Sequence, residues 1–172
     1  KNTLFKLFLI FVLLLTGCSD APAIDNATML DGDQIFDASI YNPENYLVSF
    51  AIDNPTTIQK NTPVIIATHG YSATTFEWDE FRTHSDMNAT ALISQVLLGS
   101  HGRTYEEFKN STWKDWQTPI MNEYNALRDK GYININFAGS STACALMLDL
   151  IKTDKIGANG LKHIFLIDPI VI

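Results

Sequence analysis

The hydrophobic residues of the chain fall into short runs separated by segments with helical periodicity. Four of these runs are rich in β-branched and other large apolar residues, and they cover residues 63–68, 91–98, 133–138 and 163–167. The first run is uninterrupted, which is typical of a strand buried on both faces of a parallel sheet. The intervals between them are long enough for crossover helices. This order predicts an α/β fold, with a doubly wound, mostly parallel sheet and helices on both faces.

Two of the intervening segments have the pattern of helices. Residues 112–130 place large apolar side chains at spacings of three and four, and Gly131 follows as a helix stop. Residues 141–152, rich in Ala, Leu and Met, form a second predicted helix. Upstream, residues 46–52 alternate loosely between apolar and polar, which predicts a strand at an antiparallel edge of the sheet.

The N-terminal residues have the pattern of a secretory signal peptide, because two lysines precede an apolar run that is too short to span a membrane. The run ends in Leu15-Thr16-Gly17-Cys18, which resembles the lipobox of bacterial lipoproteins, where the cysteine is acylated. An ordinary signal peptide with a chance cysteine is the alternative. We expect residues 1–17 to be removed, Cys18 to carry the lipid, and residues 18–28 to tether a domain over residues 29–172.

The acidic balance of the chain limits its partners. Its 172 residues include 12 Lys and Arg against 19 Asp and Glu, a formal net charge of −7. This charge argues against nucleic acid or an anionic membrane surface as an electrostatic partner. The sequence contains no metal-ligand cluster or nucleotide-binding glycine loop, so we expect no metal and no cofactor. Together with the lipobox, these features predict a lipid-anchored protein of the bacterial cell envelope, facing the periplasm or the exterior.

The segment 135–143 places a strand, a sharp turn and a helix in direct succession, with Ser141 at the apex. Such a nucleophile elbow needs small residues two positions either side of the serine, and Gly139 and Ala143 meet that need. Two other interpretations remain. A serine at this turn can simply cap the helix, and Ser140 can be the apex instead, although its flanking residues fit less well.

A hydroxyl nucleophile also needs backbone N–H donors for the oxyanion of its tetrahedral intermediate. The sequence His69-Gly70-Tyr71-Ser72 follows the first buried run, and Gly70 permits a tight turn that leaves the Tyr71 N–H free. The N–H of Thr142, at the start of the helix after Ser141, is the second expected donor. We interpret His69 as a structural hydrogen-bonding residue, with catalytic base as the alternative.

Residues 64–150 resemble the bacterial carboxylesterase and monoacylglycerol-lipase branch of the α/β-hydrolases. Residues 69–73 resemble the H-G-F-T-G loop of that family, residues 99–104 its G-H-G loop, and residues 139–143 its elbow. A tryptophan-rich helix lies between the last two, as in the family. The departures are Ser100, which splits the G-H-G motif, and residues 142–144, where the family has one hydrophobic residue and two glycines.

The resemblance implies a Ser-His-Asp triad that hydrolyses carboxylic esters of small molecules. Ser141 would attack the acyl carbon, and the amides of Tyr71 and Thr142 would form the oxyanion hole. Asp168, at the end of the last apolar run, is a possible triad acid, although this branch carries the acid one strand later. Since no histidine follows Asp168, we expect the catalytic histidine to lie beyond Ile172 and the chain alone to be inactive.

Three functions fit these observations. The first is a serine hydrolase that cleaves carboxylic esters through an acyl-enzyme on Ser141. The alternative is a non-catalytic lipoprotein that uses the same fold to bind a ligand or partner, in line with the unusual residues 142–144. A peptidase or thioesterase on the same scaffold would share the chemistry of the first, because the fold does not determine the substrate.

Overall fold

The computed structural model of the protein describes residues 41–84, 90–157 and 159–170. The expected signal peptide, the lipid attachment at Cys18 and the tether over 18–28 lie outside the described residues. Within the described part, no helix has the length and apolar character needed to cross a membrane.

Four parallel strands form one sheet in the order β2-β1-β3-β4, which confirms the predicted parallel α/β fold. Each strand lies within or beside one of the four apolar runs: β1 (Val64–Thr68), β2 (Leu92–Val96), β3 (Ile135–Ser140) and β4 (Ile164–Ile167). The last residues of neighbouring strands are in register, since Thr68 pairs with Val96 and Gly139, and Ser140 pairs with Ile167. The carboxyl ends of all four strands therefore meet at one edge.

Among the described residues, helices precede β1 and occupy the segments between the strands. They are α1 (Val48–Ala51), α2 (Thr57–Asn61), α3 (Asp79–Thr83), α4 (Tyr105–Lys109), α5 (Trp113–Asp129) and α6 (Thr142–Lys152), with 3-10 turns η1 (Pro43–Asn45) and η2 (Thr75–Trp78). The α5 helix begins where the Asp115 carboxylate accepts the N–H of Thr112 at 2.7 Å. Gly131, with φ 86°, follows its end. The two helices predicted from the sequence are therefore confirmed to within a residue or two.

Alternate residues of the central strand face two different hydrophobic clusters. Val64 and Ile66 face the larger one, which is covered by α5 and α6. Ile65 and Ala67 face a smaller cluster that Trp78 and Phe81 of η2 and α3 complete. The sheet is thus covered on both faces, as predicted for a doubly wound fold.

The predicted strand over 46–52 is wrong, because this segment folds into turns and the short helix α1. Only one backbone bond joins it to the sheet edge, from the Gln95 N–H to the Tyr46 carbonyl at 2.8 Å. The N–H of Val48 instead donates to the Ser94 hydroxyl at 3.0 Å. The N–H groups of Val48 and Ser49 are thus taken by side chains, whereas the other donors of this segment bond to backbone carbonyls three or four residues earlier. A pattern of apolar and polar positions does not reveal side-chain acceptors of this kind.

A buried carboxylate fixes this segment against the sheet. Glu123 of α5 is 1% exposed and accepts hydrogen bonds from the hydroxyls of Ser49 and Ser94 and from the Ser49 N–H. Burial, and to a lesser extent the charge of Glu123, raises the pKa of the nearby Tyr41 and Tyr132 phenols. Three elements, α1, β2 and α5, are thus joined at one polar centre inside the core.

The edge strand β4 is the least covered part of the sheet. All four of its apolar side chains remain between 37% and 52% exposed. The other three strands are buried along most of their length.

We expect Glu123→Ala to lower the free energy of unfolding by about 2–5 kcal/mol, because it leaves buried donors of Ser49 and Ser94 without an acceptor. Urea denaturation followed by circular dichroism measures the change. Glu44→Ala is the control, since Glu44 is exposed, and its effect should stay within about 0.5 kcal/mol. Equal stability of the two variants would contradict this account of the polar centre.

Candidate active site

The turn between β3 and α6 places Ser141 at its tip in a strained conformation. The backbone angles of Ser141 are φ 48° and ψ −112°, a region that costs a residue other than glycine about 1–3 kcal/mol. Its N–H donates to the carbonyl of Ile167 at 2.9 Å, and its carbonyl accepts the N–H of Cys144 at 3.1 Å. Ser140 is the last residue of β3, so the sharp turn falls on Ser141 rather than on Ser140.

The residues two positions either side of Ser141 have to be small. A Cβ atom added at Gly139 would lie 2.5 Å from the Phe137 ring and 3.2 Å from the Cβ of Ala143. Ala143 is itself fully buried. The pattern of Gly139 and Ala143 around Ser141 is therefore required by packing.

The loop after β1 packs directly on Ser141. A Cβ atom added at Gly70 would lie 3.4 Å from the Cβ of Ser141 and 3.6 Å from both the Ser140 hydroxyl and a Glu77 carboxylate oxygen. That same oxygen, Oε2 of Glu77, accepts the Gly70 N–H at 2.9 Å. Gly70 and Ser141, which the sequence analysis assigned to one site, are thus brought together, with Glu77 beside them.

His69 has both ring nitrogens engaged in the interior. Its Nε2 accepts the Leu98 N–H at 3.0 Å, so Nδ1 carries the proton and donates to the Gly70 carbonyl at 2.9 Å. Burial, with a smaller contribution from the neighbouring His101, lowers the pKa of His69 to about 3. A fully buried neutral imidazole with no free nitrogen joins the ends of β1 and β2, and it is not placed to take a proton from Ser141.

An aromatic cluster supports the residue after Gly70. The Tyr71 ring lies edge-on to Phe108 of α4 and Trp116 of α5, with ring centroids 5.2 and 5.8 Å away. Phe108 and Trp116 stack on each other at 5.5 Å, and the ring of His101 packs against both. Tyr71 is nevertheless 56% exposed, so its ring lies at the surface over this cluster.

The two amides expected to bind an oxyanion are both near the turn. Tyr71 follows Gly70 in the loop that packs on Ser141, and Ser72 continues that loop with φ 56°. Thr142 is the first residue of α6, where an N–H has no acceptor within the helix. The helix dipole adds partial positive charge at this position.

Asp168 lies next to the acceptor of the Ser141 N–H, because it directly follows Ile167 at the end of β4. It has φ 47°. Beneath the turn, the thiol of Cys144 is buried 3.1 Å from the Gly139 carbonyl. Burial raises the pKa of this thiol, and the charge of Asp168 raises it further. A buried thiol of this kind acts as a packing group.

The other three histidines lie in different surroundings. His101 is buried, its Nδ1 lies 3.1 Å from the Gly99 carbonyl, and burial lowers its pKa. His163 lies before β4, at the opposite end of the strands from Ser141, with Nδ1 2.9 Å from the Asn136 side chain. His84 lines a pocket together with Ser140. Across residues 41–84, 90–157 and 159–170, no group of three or more His, Cys, Asp or Glu side chains is arranged to hold a metal ion.

Sequence reasoning missed Glu77. Its carboxylate lies at the Gly70 and Ser141 contact although it is seven residues from Gly70 and belongs to η2. The loop that contains Thr74 and η2 brings the chain back to the carboxyl end of β1. No periodic pattern in the sequence predicts this reversal. Acidic residues one turn beyond a histidine-glycine loop are the signal that could have drawn attention to it.

The lowered pKa of His69 gives the fold a specific dependence on pH. Folding favours the neutral ring, so the unfolded chain binds more protons, and stability is complete above pH about 6.5 and falls towards about 3. His101 acts in the same direction. We expect urea denaturation to show a decrease between pH about 6.5 and 5, before ordinary carboxylates titrate. The decrease should be smaller in His69→Gln. A flat profile in this window would contradict the assignment of His69 as buried and neutral.

Comparisons with known proteins rest on structure alone. No family model matches the chain, and no curated protein sequence matches it significantly. One similar structure is that of metagenome-derived lipolytic enzymes, LipS and LipT. It has a TM-score of 0.50 and 20% identity, over 63% of this chain and 42% of the other.

A second similar structure is an extracellular α/β-hydrolase from a Paenibacillus species, described as sharing structural and functional homology with tobacco salicylic acid binding protein 2. It has a TM-score of 0.50 and 15% identity, over 64% of this chain and 42% of the other. The chain therefore spans less than half the length of both structures. Likeness at these identities concerns the fold, and it shows that the described sheet and its helices form part of an α/β-hydrolase fold.

Proposed function

We propose that the protein is a serine hydrolase that cleaves carboxylic esters through an acyl-enzyme on Ser141. The observation that carries this proposal is the strained turn at Ser141, which lies so close to the Gly70 loop that a Cβ added at Gly70 would be 3.4 Å from the Ser141 Cβ. A serine that only caps a helix does not need positive φ, because N-cap residues ordinarily have extended backbone. Strain of this kind is retained where the surrounding structure holds it in place for function.

The proposed reaction follows from the groups around the turn. The Ser141 oxygen attacks the acyl carbon, and the carbonyl oxygen becomes an oxyanion that the N–H groups of Tyr71 and Thr142 bind. Two such donors, fixed before the substrate arrives, stabilise the charge without reorganisation. Collapse of the intermediate expels the alcohol and leaves the acyl group on Ser141, and water then releases the acid.

The proton of Ser141 requires a base, and we place that base outside the described residues, because no histidine within them forms a hydrogen bond with Ser141. His69 is excluded by its two hydrogen bonds, and His163 by its position at the far end of the sheet. Asp168 remains a proposed acid, supported by its place directly after the residue that accepts the Ser141 N–H. The chain matches 42% of each similar structure, which leaves room in a longer protein for the base.

The nature of the substrate is proposed from chemistry and from the similar structures. One of them belongs to lipolytic enzymes, which supports esters as the substrate class. We further propose that Cys18 is acylated and anchors the protein in the bacterial cell envelope, as the lipobox-like residues 15–18 indicate. A non-catalytic binding lipoprotein is the second candidate. The structural hydrogen bonds of His69 favour it, because they leave this histidine unable to act as the base for Ser141.

The test of catalysis uses the full-length protein and Ser141→Ala. We expect a fluorophosphonate probe to label Ser141, and we expect Ser141→Ala to lower hydrolysis of nitrophenyl esters by about a thousandfold or more. Ser140→Ala is the matched control, since it removes the neighbouring hydroxyl but not the proposed nucleophile. A full-length protein whose Ser141 is neither labelled nor needed for ester cleavage would leave only the binding function.

A further inference from the structure

We propose that Glu77 makes the site select esters that carry a positive charge close to the scissile bond. This inference rests on the proposed function of Ser141 and concerns its substrate class. Glu77 is a specificity-determining residue here, because its carboxylate accepts the N–H of Gly70, the residue before the proposed oxyanion donor Tyr71.

The position of the Glu77 carboxylate is fixed by a backbone donor. Its Oε2 atom accepts the Gly70 N–H at 2.9 Å, in the loop that packs on the nucleophile. The Glu77 oxygen and the Cβ of Ser141 both lie within 3.6 Å of one point, the position of a Cβ added at Gly70. The negative charge of the Glu77 carboxylate therefore lies close enough to Ser141 to interact with a substituent of an ester bound there.

The pocket beside the turn extends this charge. It has a volume of about 630 Å³ and includes Ser140, Glu77 and a second carboxylate, Glu80. Neither lysine nor arginine is among its described lining residues, which also include His84. Trp78 and Phe81 add aromatic rings, which also attract cations.

Glu77 has no cationic partner of its own among the described residues. The single salt bridge between side chains in the described part joins Lys130 and Asp53, and Glu77 takes no part in it. An unneutralised carboxylate at this distance favours a cationic substrate group over a neutral one by about tenfold or more, when the effective dielectric constant is near 20. An anionic group would be disfavoured to a similar extent.

The experiment compares two methylphosphonate p-nitrophenyl esters that differ in one alkyl group. One carries a trimethylammonioethyl group and the other its neutral isostere, 3,3-dimethylbutyl. In each, the Ser141 oxygen forms a bond to phosphorus, p-nitrophenolate leaves with the electron pair of the broken bond, and the serine proton goes to the base. The second-order rate constant of Ser141 modification in the full-length protein, measured by nitrophenolate release and peptide mass, gives a ratio of cationic to neutral probe.

We expect this ratio to be about ten or more in the natural protein and to fall close to one in Glu77→Gln. The glutamine amide oxygen can still accept the Gly70 N–H, so the variant removes the charge while retaining the acceptor. Glu44→Gln removes an equal charge from an exposed position that does not line the pocket, and its ratio should match that of the natural protein.

The possible results separate the two proposals. If Ser141 reacts but the natural protein shows a ratio of cationic to neutral probe near one, the inference about Glu77 is wrong while the hydrolase function stands. This result is obtained with the natural protein alone. A ratio that survives in Glu77→Gln, or that falls equally in Glu44→Gln, would assign the preference to another charge and overturn the inference. If Ser141 reacts with neither probe, both proposals fail.

Discussion

The site depends on one backbone constraint, the left-handed conformation of Ser141 between β3 and α6. That conformation persists because the Ser141 N–H bonds to Ile167 of β4, and because Gly139 and Gly70 leave space on either side. A side chain at Gly139 would strike the Phe137 ring. The geometry of a single turn thus links two strands, a loop and a helix, and the energy that holds it comes from all of them.

Two kinds of hydrogen bond organise the molecule around this turn. At the site, the buried His69 joins the Gly70 carbonyl to the Leu98 N–H and so holds the ends of β1 and β2 together. On the side of the core, Glu123 collects donors from two serines and brings the N-terminal turns onto the sheet. Both groups are polar and nearly inaccessible to water, and both are satisfied, as buried polar groups must be if they are not to destabilise the fold.

The sequence predicted those parts of the molecule that follow from local patterns. The four apolar runs became the four strands because each is rich in β-branched and other large apolar residues, and the serine turn was recognisable from Gly139 and Ala143. The strand over 46–52 was wrong because the segment closes into turns and a short helix, and the N–H groups of Val48 and Ser49 bond to the distant side chains of Ser94 and Glu123. Glu77 was missed because only the folded loop brings its carboxylate to the Gly70 N–H. Neither kind of contact produces a period in the sequence.

The exposure of β4 distinguishes the site from the core. The core is built on α5, α6 and the buried strands, whereas the turn at Ser141 is completed by a carbonyl of the most exposed strand. Segments with few buried contacts open locally at a lower free energy than the whole domain. Among the described residues, the geometry of Ser141 therefore depends on the position of β4 as well as on the core.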